Sequence, residues 1–563
     1  MVCEWVVAGC CFLGRKIEEE NIMNKNNVFT CLFTVIAAMF LASCDTSCSP
    51  RWHATDAPTG YDGHKVRVRE ASVPYEHMEI EGVPFNTEEY KNYDENRLKL
   101  VKDAPLSTFG ADVDTAGYAN TRRMLRDENR LPPKDAVRVE EFLNYFEYAY
   151  PQPPKDGKFA TTFEMGTCPW NAQRQLLLVG IQAKSTELAN LPPSSFVFLI
   201  DNSGSMTDAM PLLRESMTML AKQLRPQDNI GIVTYGGGAK VLIESATGDD
   251  GKKIQAAIEG LTAGGHTPGA AGIKTAYDLA AKNFIKGGNN RVVLVTDGDF
   301  NVGVSSESEL ISLVEKKRET GVYLTAIGMG FGNYKDNKMK MLANKGNGNY
   351  IYIDSLREAR HALVNEMSGR MFTLARDVKF QVEFNPARVF AYRLVGYEFR
   401  KLEDRDFNDD TKDSGEVGVG HQITVLYEMV MADAPEAVKK EAVGDVDALK
   451  YQSPVAQAGT AQSNDILTFK LRYQEPEGDA GSKLLEFVLP AQPEATENWG
   501  WASAVAEVAL LLRDSPNKGN ADYAAAIKRA QANVGDDPDG RRAEFLHLAA
   551  VARKLAAAEK AEK

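Results

Sequence analysis

Two short runs, Ser194–Ile200 (SSFVFLI) and Arg291–Thr296 (RVVLVT), constrain this chain more than anything else in it. Each carries apolar residues at consecutive positions, so both faces of the extended segment must be buried. Each stops at an aspartate, Asp201 or Asp297. Strands hidden on both faces belong to a parallel sheet covered by helices. The intervening pattern agrees. Leu213, Met217, Leu220 and Leu224 recur at i, i+4, i+7 and i+11, one stripe of a helix that Pro226 and Asp228 end. Ile230–Tyr235 reads as the next strand, Gly236–Gly238 as a turn and Lys240–Ser245 as a short antiparallel edge strand. Helices are expected at 251–261, 269–286, 306–319, 335–345 and 356–370, and further strands at Val322–Met329 and Tyr350–Ile353. Strands alternating with helices give an α/β, doubly wound domain with a mostly parallel sheet. Ligands of such sheets sit beyond the carboxyl ends of the strands.

Polar residues cluster where that rule puts a ligand. Asp201-Asn202-Ser203-Gly204-Ser205 follows the first strand. Thr267 lies in the glycine-rich loop Gly264-Gly265-His266-Thr267-Pro268-Gly269, before a helix, and Asp297 follows the fourth strand. Two carboxylates and three hydroxyls thus converge on one edge. Oxygen-only ligands suit hard cations: Mg²⁺ first, with Mn²⁺ also fitting and Ca²⁺ as a further candidate. Two carboxylates neutralise the ion and three hydroxyls add oxygen without charge. A position left to water could be taken by an acidic residue of a partner protein. The bland alternative is a set of polar loop caps, with the hydroxyls serving as helix N-caps. Asp208 and Asp299 read as carboxylates that support the site or face solvent. His266 has no partner base or nucleophile at recognisable spacing, so it carries no catalytic reading.

Asp-x-Ser-x-Ser after the first strand, a threonine in the second loop and Thr-Asp-Gly after the fourth strand resemble the metal-ion-dependent adhesion site of von Willebrand factor type A (VWA) domains. The resemblance covers residues 171–370 and implies a VWA (Rossmann-like) fold with metal ligands Asp201, Ser203, Ser205, Thr267 and Asp297. The flanks extend it. Residues 105–170 contain Asp112-Val113-Asp114-Thr115, an expected helix from Thr115 to Arg126, Pro132-Pro133, and a second helix over Val137–Phe146. This segment resembles the N-terminal segment of YfbK-like bacterial VWA lipoproteins. The Asp-x-Asp-Thr there reads as a structural loop or strand end. Residues 371–495 alternate like antiparallel strands, as in Val378–Phe384, Ile423–Val430 and Ile466–Tyr473. Residues 496–563 are helical and alanine-rich, with Leu510–Leu512, Ile527, Phe545, Leu546 and Leu548 as expected core contacts. Both are similar to the C-terminal region of that family. The acidic run Glu403–Asp410 lacks the glycine and glutamate of an EF-hand and reads as a solvated hairpin tip.

The N-terminus reads as an address. Residues 28–43 (VFTCLFTVIAAMFLAS) are apolar over the length of a signal peptide and short of a membrane span. They end in Leu41-Ala42-Ser43-Cys44, which resembles a bacterial lipobox. The expected signal peptide is 23–43, with Cys44 lipidated and 44–104 a tether. Within that tether, Met78–Phe85 is a further edge-strand candidate. Residues 1–22 carry four glutamates that a signal sequence avoids, and Met23 is the expected natural start. Asp45 retains lipoproteins in the inner membrane in some bacteria and not in others, so both membranes stay open.

Composition narrows the function classes. A formal charge of -13 argues against nucleic-acid binding, which needs basic patches. Of seven cysteines only Cys168 lies in the folded body, so neither a disulfide core nor a zinc site is expected. No Gly-x-x-x-x-Gly-Lys-(Ser/Thr) occurs, which removes the commonest nucleotide signature, and no nucleophile elbow is present. The reading is a non-enzymatic lipoprotein of the bacterial cell envelope, extracytoplasmic and held at a membrane by lipid. Its VWA domain binds a partner protein through a divalent metal. Two alternatives stand beside it: a scaffolding lipoprotein whose metal only stabilises the fold, and a metal-dependent hydrolase.

Overall fold

In the computed structural model the described residues are 88–111, 113–265, 269–298, 307–330, 334–443, 463–476, 481–489 and 493–562. Among them, in chain order, run the strands β1 Lys99–Leu100, β2 Leu106–Gly110, β3 Phe159–Thr167, β4 Gln175–Ala183, β5 Ser194–Ile200, β6 Asn229–Thr234, β7 Lys240–Thr247 and β8 Asn289–Thr296. After these come β9 Val322–Gly328, β10 Tyr350–Tyr352, β11 Thr373–Phe384, β12 Val389–Val395, β13 Gly415–Gly418, β14 Gln422–Met431, β15 Leu467–Gln474 and β16 Lys483–Leu489.

The central sheet has the order β10-β9-β8-β5-β6-β7. All neighbours are parallel except β7, which runs antiparallel along β6 at the edge, as its position and length suggest. The consecutive apolar residues of β5 split by parity. Phe196, Phe198 and Ile200 enter one core, and Val197 and Leu199 the other. Helices Met210–Ala221 and Gly251–Glu259 supply the first face, and Gly269–Lys282, Glu307–Arg318 and Asp336–Lys345 the second. The helix expected at 356–370 is broken. Leu356–Arg360 is α, His361–Asn365 is a π turn closed by Glu366 N–H to the His361 carbonyl (2.9 Å), and Met367–Met371 is α again. The extra residue of a π turn rotates the next helical turn. Arg370 there donates to the Val113 carbonyl (2.8 Å) and to Thr115 Oγ1 (3.2 Å).

A β-sandwich interrupts the sequence order. One sheet is β1-β12-β14-β4-β3; the other is β13-β11-β15-β16, with β2 also on β11. Both enclose one core that includes Phe109, Val179, Phe380, Tyr427 and Phe469. The range 171–370 expected for the VWA domain takes in β4, whose QLLLVGIQA run is apolar at consecutive positions. That strand pairs antiparallel with β3 and β14 instead. The run is apolar on both faces because Leu177, Val179 and Ile181 face the sandwich core while Leu176 and Leu178 meet helices. Those helices are Val139–Leu143, Glu497–Leu512, Tyr523–Ala532 and Arg541–Glu562, with Trp501, Leu510, Phe545 and Leu548 buried. The central domain is therefore inserted between strands of a single sandwich. The segment at 105–170 and the C-terminal regions are not separate bodies.

Two further expectations change. The folded body begins well before residue 105. Glu89 bridges Lys335, and β1 pairs with β12, so residues 88–104 are structure rather than tether. The run Glu403–Asp410 is mostly exposed, but it is tied to β2 rather than a free hairpin tip. Asp404–Asn408 forms a short 3₁₀ turn, Phe407 is buried, and Asp404 accepts from Thr108 (2.8 Å) on β2. Residues 1–87, which hold the expected signal, Cys44 and Met78–Phe85, lie outside the described residues. Among the described residues no helix is long and apolar enough to cross a membrane.

Buried ion pairs join the N-terminal segment to the central domain. Arg122 on helix Ala116–Arg126 binds Asp354 and Glu358, and Arg138 binds Glu141 and Asp336. Removing one partner of such a pair costs about 3–5 kcal/mol, because the other charge is left buried.

Candidate functional site

The register of β5 against β8 sets Ile200 opposite Val295, which places Asp201 beside Thr296 and Asp297. Asp201 is wholly buried and anchored by its own N–H to the Val295 carbonyl (2.8 Å). Its carboxylate is fixed from three elements. Tyr235 Oη (2.8 Å) and Thr296 Oγ1 (2.9 Å) donate to Oδ2, and Ser203 N–H (2.9 Å) donates to Oδ1. Burial, then the Asp201 charge, hold the Tyr235 phenol far above its ordinary range, so it stays a donor. A carboxylate has about four lone-pair sites. These three bonds leave room for one more ligand.

Ser203 Oγ stands 3.0 Å from Ser205 Oγ; Ser203 is buried and Ser205 exposed. The neighbouring loops are tied to the same spot. Asn202 accepts from Gly236 N–H (2.6 Å) at Oδ1 and from Gly264 N–H (2.7 Å) at its carbonyl, and its amide donates to the Thr262 carbonyl (3.2 Å). Gly236 has to be glycine, since an added Cβ would stand 2.4 Å from the Asn202 carbonyl carbon. The second loop is thereby anchored at the expected edge through Gly265. Thr267, two residues on, lies outside the described residues, as do His266 and Asp299. Asp297 is nearly buried, and the turn after it is set by Gly298 N–H to Thr296 Oγ1 (3.2 Å).

Four of the five expected ligands thus reach one edge through their own elements. The donor set fits a hard cation: two carboxylates, hydroxyl oxygens, and a carboxylate oriented before any ion arrives. Among the described residues no three His, Cys, Asp or Glu side chains converge to hold a metal, so the hydroxyls are essential to the fit. The sequence pattern missed Tyr235, Thr296 and Asn202, which hold Asp201 and the neighbouring loops in place. The signal was present: each stands at a strand end of the same edge.

Other candidates resolve as structure. Asp114 accepts from Tyr350 N–H (3.0 Å) and pairs with Lys340 (3.3 Å) and Arg400 (3.4 Å), so it braces β10; Asp112 lies outside the described residues. Asp208 is exposed beside the site.

Three family models match the chain: "von Willebrand factor" over residues 84–178, "von Willebrand factor type A domain" over 196–366, and "Uncharacterized protein YfbK, C-terminal" over 369–555. The chain is 42% identical over 472 residues to the protein YfbK of Escherichia coli, covering 82% of this chain and 80% of that one. The chain belongs to the YfbK family. Protein sll0103 of Synechocystis is 29% identical over 196 residues, 34% of this chain and 44% of its own. Among solved structures, a von Willebrand factor type A protein from Catenulispora acidiphila aligns with a TM-score of 0.39 and 14% identity, over 69% of this chain and 89% of its own. The ArnB paralog VWA2 from Sulfolobus acidocaldarius aligns at 0.35 and 15%, over 71% and 98%. The matched ranges follow the architecture of this YfbK-family chain. The first and third supply the sandwich, and the VWA domain sits between them.

Proposed function

We propose that this VWA protein is a lipid-anchored, extracytoplasmic component of the cell envelope. It binds a partner protein through a divalent cation, Mg²⁺ or Mn²⁺, held by Asp201, Ser203, Ser205, Thr267 and Asp297. The observation that carries the reading is the buried Asp201 carboxylate, fixed by Tyr235, Thr296 and Ser203 beside the Ser203–Ser205 hydroxyl pair. The cation supplies a coordination position that a partner's acidic side chain takes. Asp201 and Asp297 neutralise it, and the serines add uncharged oxygen. VWA domains generally act as interaction modules rather than enzymes. The anchor rests on Leu41-Ala42-Ser43-Cys44.

The test is thermal unfolding of the chain from residue 45 onward in chelator, Mg²⁺, Mn²⁺ and Ca²⁺, with Asp297→Ala alongside. Metal at one hundred times Kd stabilises by about 2.7 kcal/mol, a midpoint shift of roughly 2–4 °C. The shift should vanish in Asp297→Ala while that variant stays folded. No shift in the natural chain rejects the metal. For the anchor, Cys44→Ser should move the full chain from the membrane to the soluble fraction.

A further inference from the structure

The edge that carries Asp201 and Asp297 continues sideways into a cleft of about 330 Å³. Gly330, at φ 89°, joins the two. An added Cβ there would lie 3.3 Å from the Asp297 Cβ and 3.9 Å from that of Ala209. Half-buried Leu212, backed by the buried Ala209 and Ile353, gives the cleft an apolar floor. Its far wall comes from outside the VWA domain, from Arg123 on helix Ala116–Arg126 and from Asp127 and Glu128 beyond it.

That wall is fixed before any partner arrives. Arg123 is held by Glu88 (2.8 Å) and Glu128 and lies over the Tyr352 ring at 5.8 Å. Asp127 pairs with Arg126 (2.6 Å), and Asp354 with Arg122. Three of the four acids lining the cleft are therefore neutralised by arginines of the same wall. The fourth, Asp208, is exposed and has no ion pair among the described residues. An apolar floor with one uncompensated negative charge at its mouth, opening directly off the candidate metal edge, is complementary to a particular kind of ligand.

We infer that this cleft is the second contact for the partner that binds at the metal edge. It takes from that partner an apolar side chain next to a lysine or arginine that pairs with Asp208. This rests on the reading of the edge as a metal site. The occupant is a short polypeptide segment presenting an acidic, an apolar and a basic side chain together. The acid goes to the metal edge, the apolar group to Leu212, and the base to Asp208. Apolar burial supplies affinity, and the charge supplies selection between partners. The composite wall makes that selection a property of the whole protein rather than of the VWA domain alone.

The probe is a positional-scanning hexapeptide library with one aspartate fixed, panned on the full chain in detergent, in Mg²⁺ and in chelator. Single labelled peptides are then measured by fluorescence anisotropy. The natural chain should enrich an apolar residue and a lysine or arginine close to the aspartate. Asp208→Lys, an exposed change, should reverse the basic preference and weaken the best peptide roughly three- to tenfold. Leu212→Glu should abolish the apolar preference. No enrichment in any condition, or a basic preference unchanged in Asp208→Lys, overturns the inference. The two readings separate. Apolar–basic selection that persists in chelator and in Asp297→Ala keeps the cleft and rejects the metal. Mg²⁺-dependent selection of acids with no basic preference keeps the metal and rejects the cleft.

Discussion

The two ends of the central sheet use the same kinds of side chain to opposite purposes. At the carboxyl end, Asp201, Tyr235 and Thr296 hold one another in place while Ser205 and Asp208 face outward. At the amino end polar side chains tie the strands to one another and to the elements that lead into the sandwich. Asn289 donates to the Met371 carbonyl (2.7 Å), and Arg291 donates to Thr325 (2.7 Å) and Thr373 (3.3 Å). Tyr323 donates to the Pro476 carbonyl (3.2 Å). Burial pulls the Arg291 guanidinium down to about 10, and burial with the neighbouring Asp413 pushes Glu416 up to about 8. A parallel sheet gathers all its carboxyl ends on one side. Function and anchorage can therefore be built at opposite ends of the same strands without competing for residues.

Three experiments put that contrast at risk. The largest effect belongs to Asp201→Ala. It leaves the buried hydroxyls of Tyr235 and Thr296 without their acceptor and should cost about 3 kcal/mol by urea unfolding. A loss under about 1 kcal/mol would mean that the carboxyl end is not preorganised. Next is the pH response of the other end. Glu416 is raised from 4.5 to about 8 and Asp377 from 3.8 to about 6, both chiefly by burial. A raised carboxyl favours its protonated form in the fold. Its stabilisation is complete below the ordinary carboxylate range and is lost as pH climbs to about 8. Glu416→Gln should therefore flatten the fall of the unfolding midpoint between about pH 5 and about pH 8.5. An unchanged slope would remove Glu416 as its source. The smallest effect is that of Tyr235→Phe. Asp201 keeps its bonds from Thr296 and Ser203, so the loss should be about 1 kcal/mol. The Mg²⁺ shift should weaken rather than vanish, measured in the same thermal assay.

Much of the central domain is legible in the sequence because its signals are local. The parity of Phe196–Ile200, the stripe from Leu213 to Leu224 and the glycine turns each act within a few residues, and β5 to β10 fall where the pattern puts them, within the usual play of element ends. The sandwich is not legible to the same degree. Val378–Phe384, Ile423–Val430 and Ile466–Tyr473 read correctly as strands, but nothing local tells β4 to pair with β14 some 245 residues later, with Val179 opposite Val425. A run apolar on both faces fits a parallel strand as well as a strand sandwiched between helices and a second sheet.

Local pattern was enough to determine which residue types reach the candidate site, because periodicity fixes the strand ends and Asp201, Ser203, Ser205 and Asp297 come directly after them. Long-range packing decided what holds those residues still and what surrounds them. Tyr235 and Thr296 meet at Asp201 because two strands flank a third in register. The wall of Arg123 stands beside Asp208 because buried ion pairs dock a helix from an earlier segment onto the sheet. Contacts of that kind depend on strand order and on distant pairing, which cost chain entropy to form and leave no periodic trace in the chain.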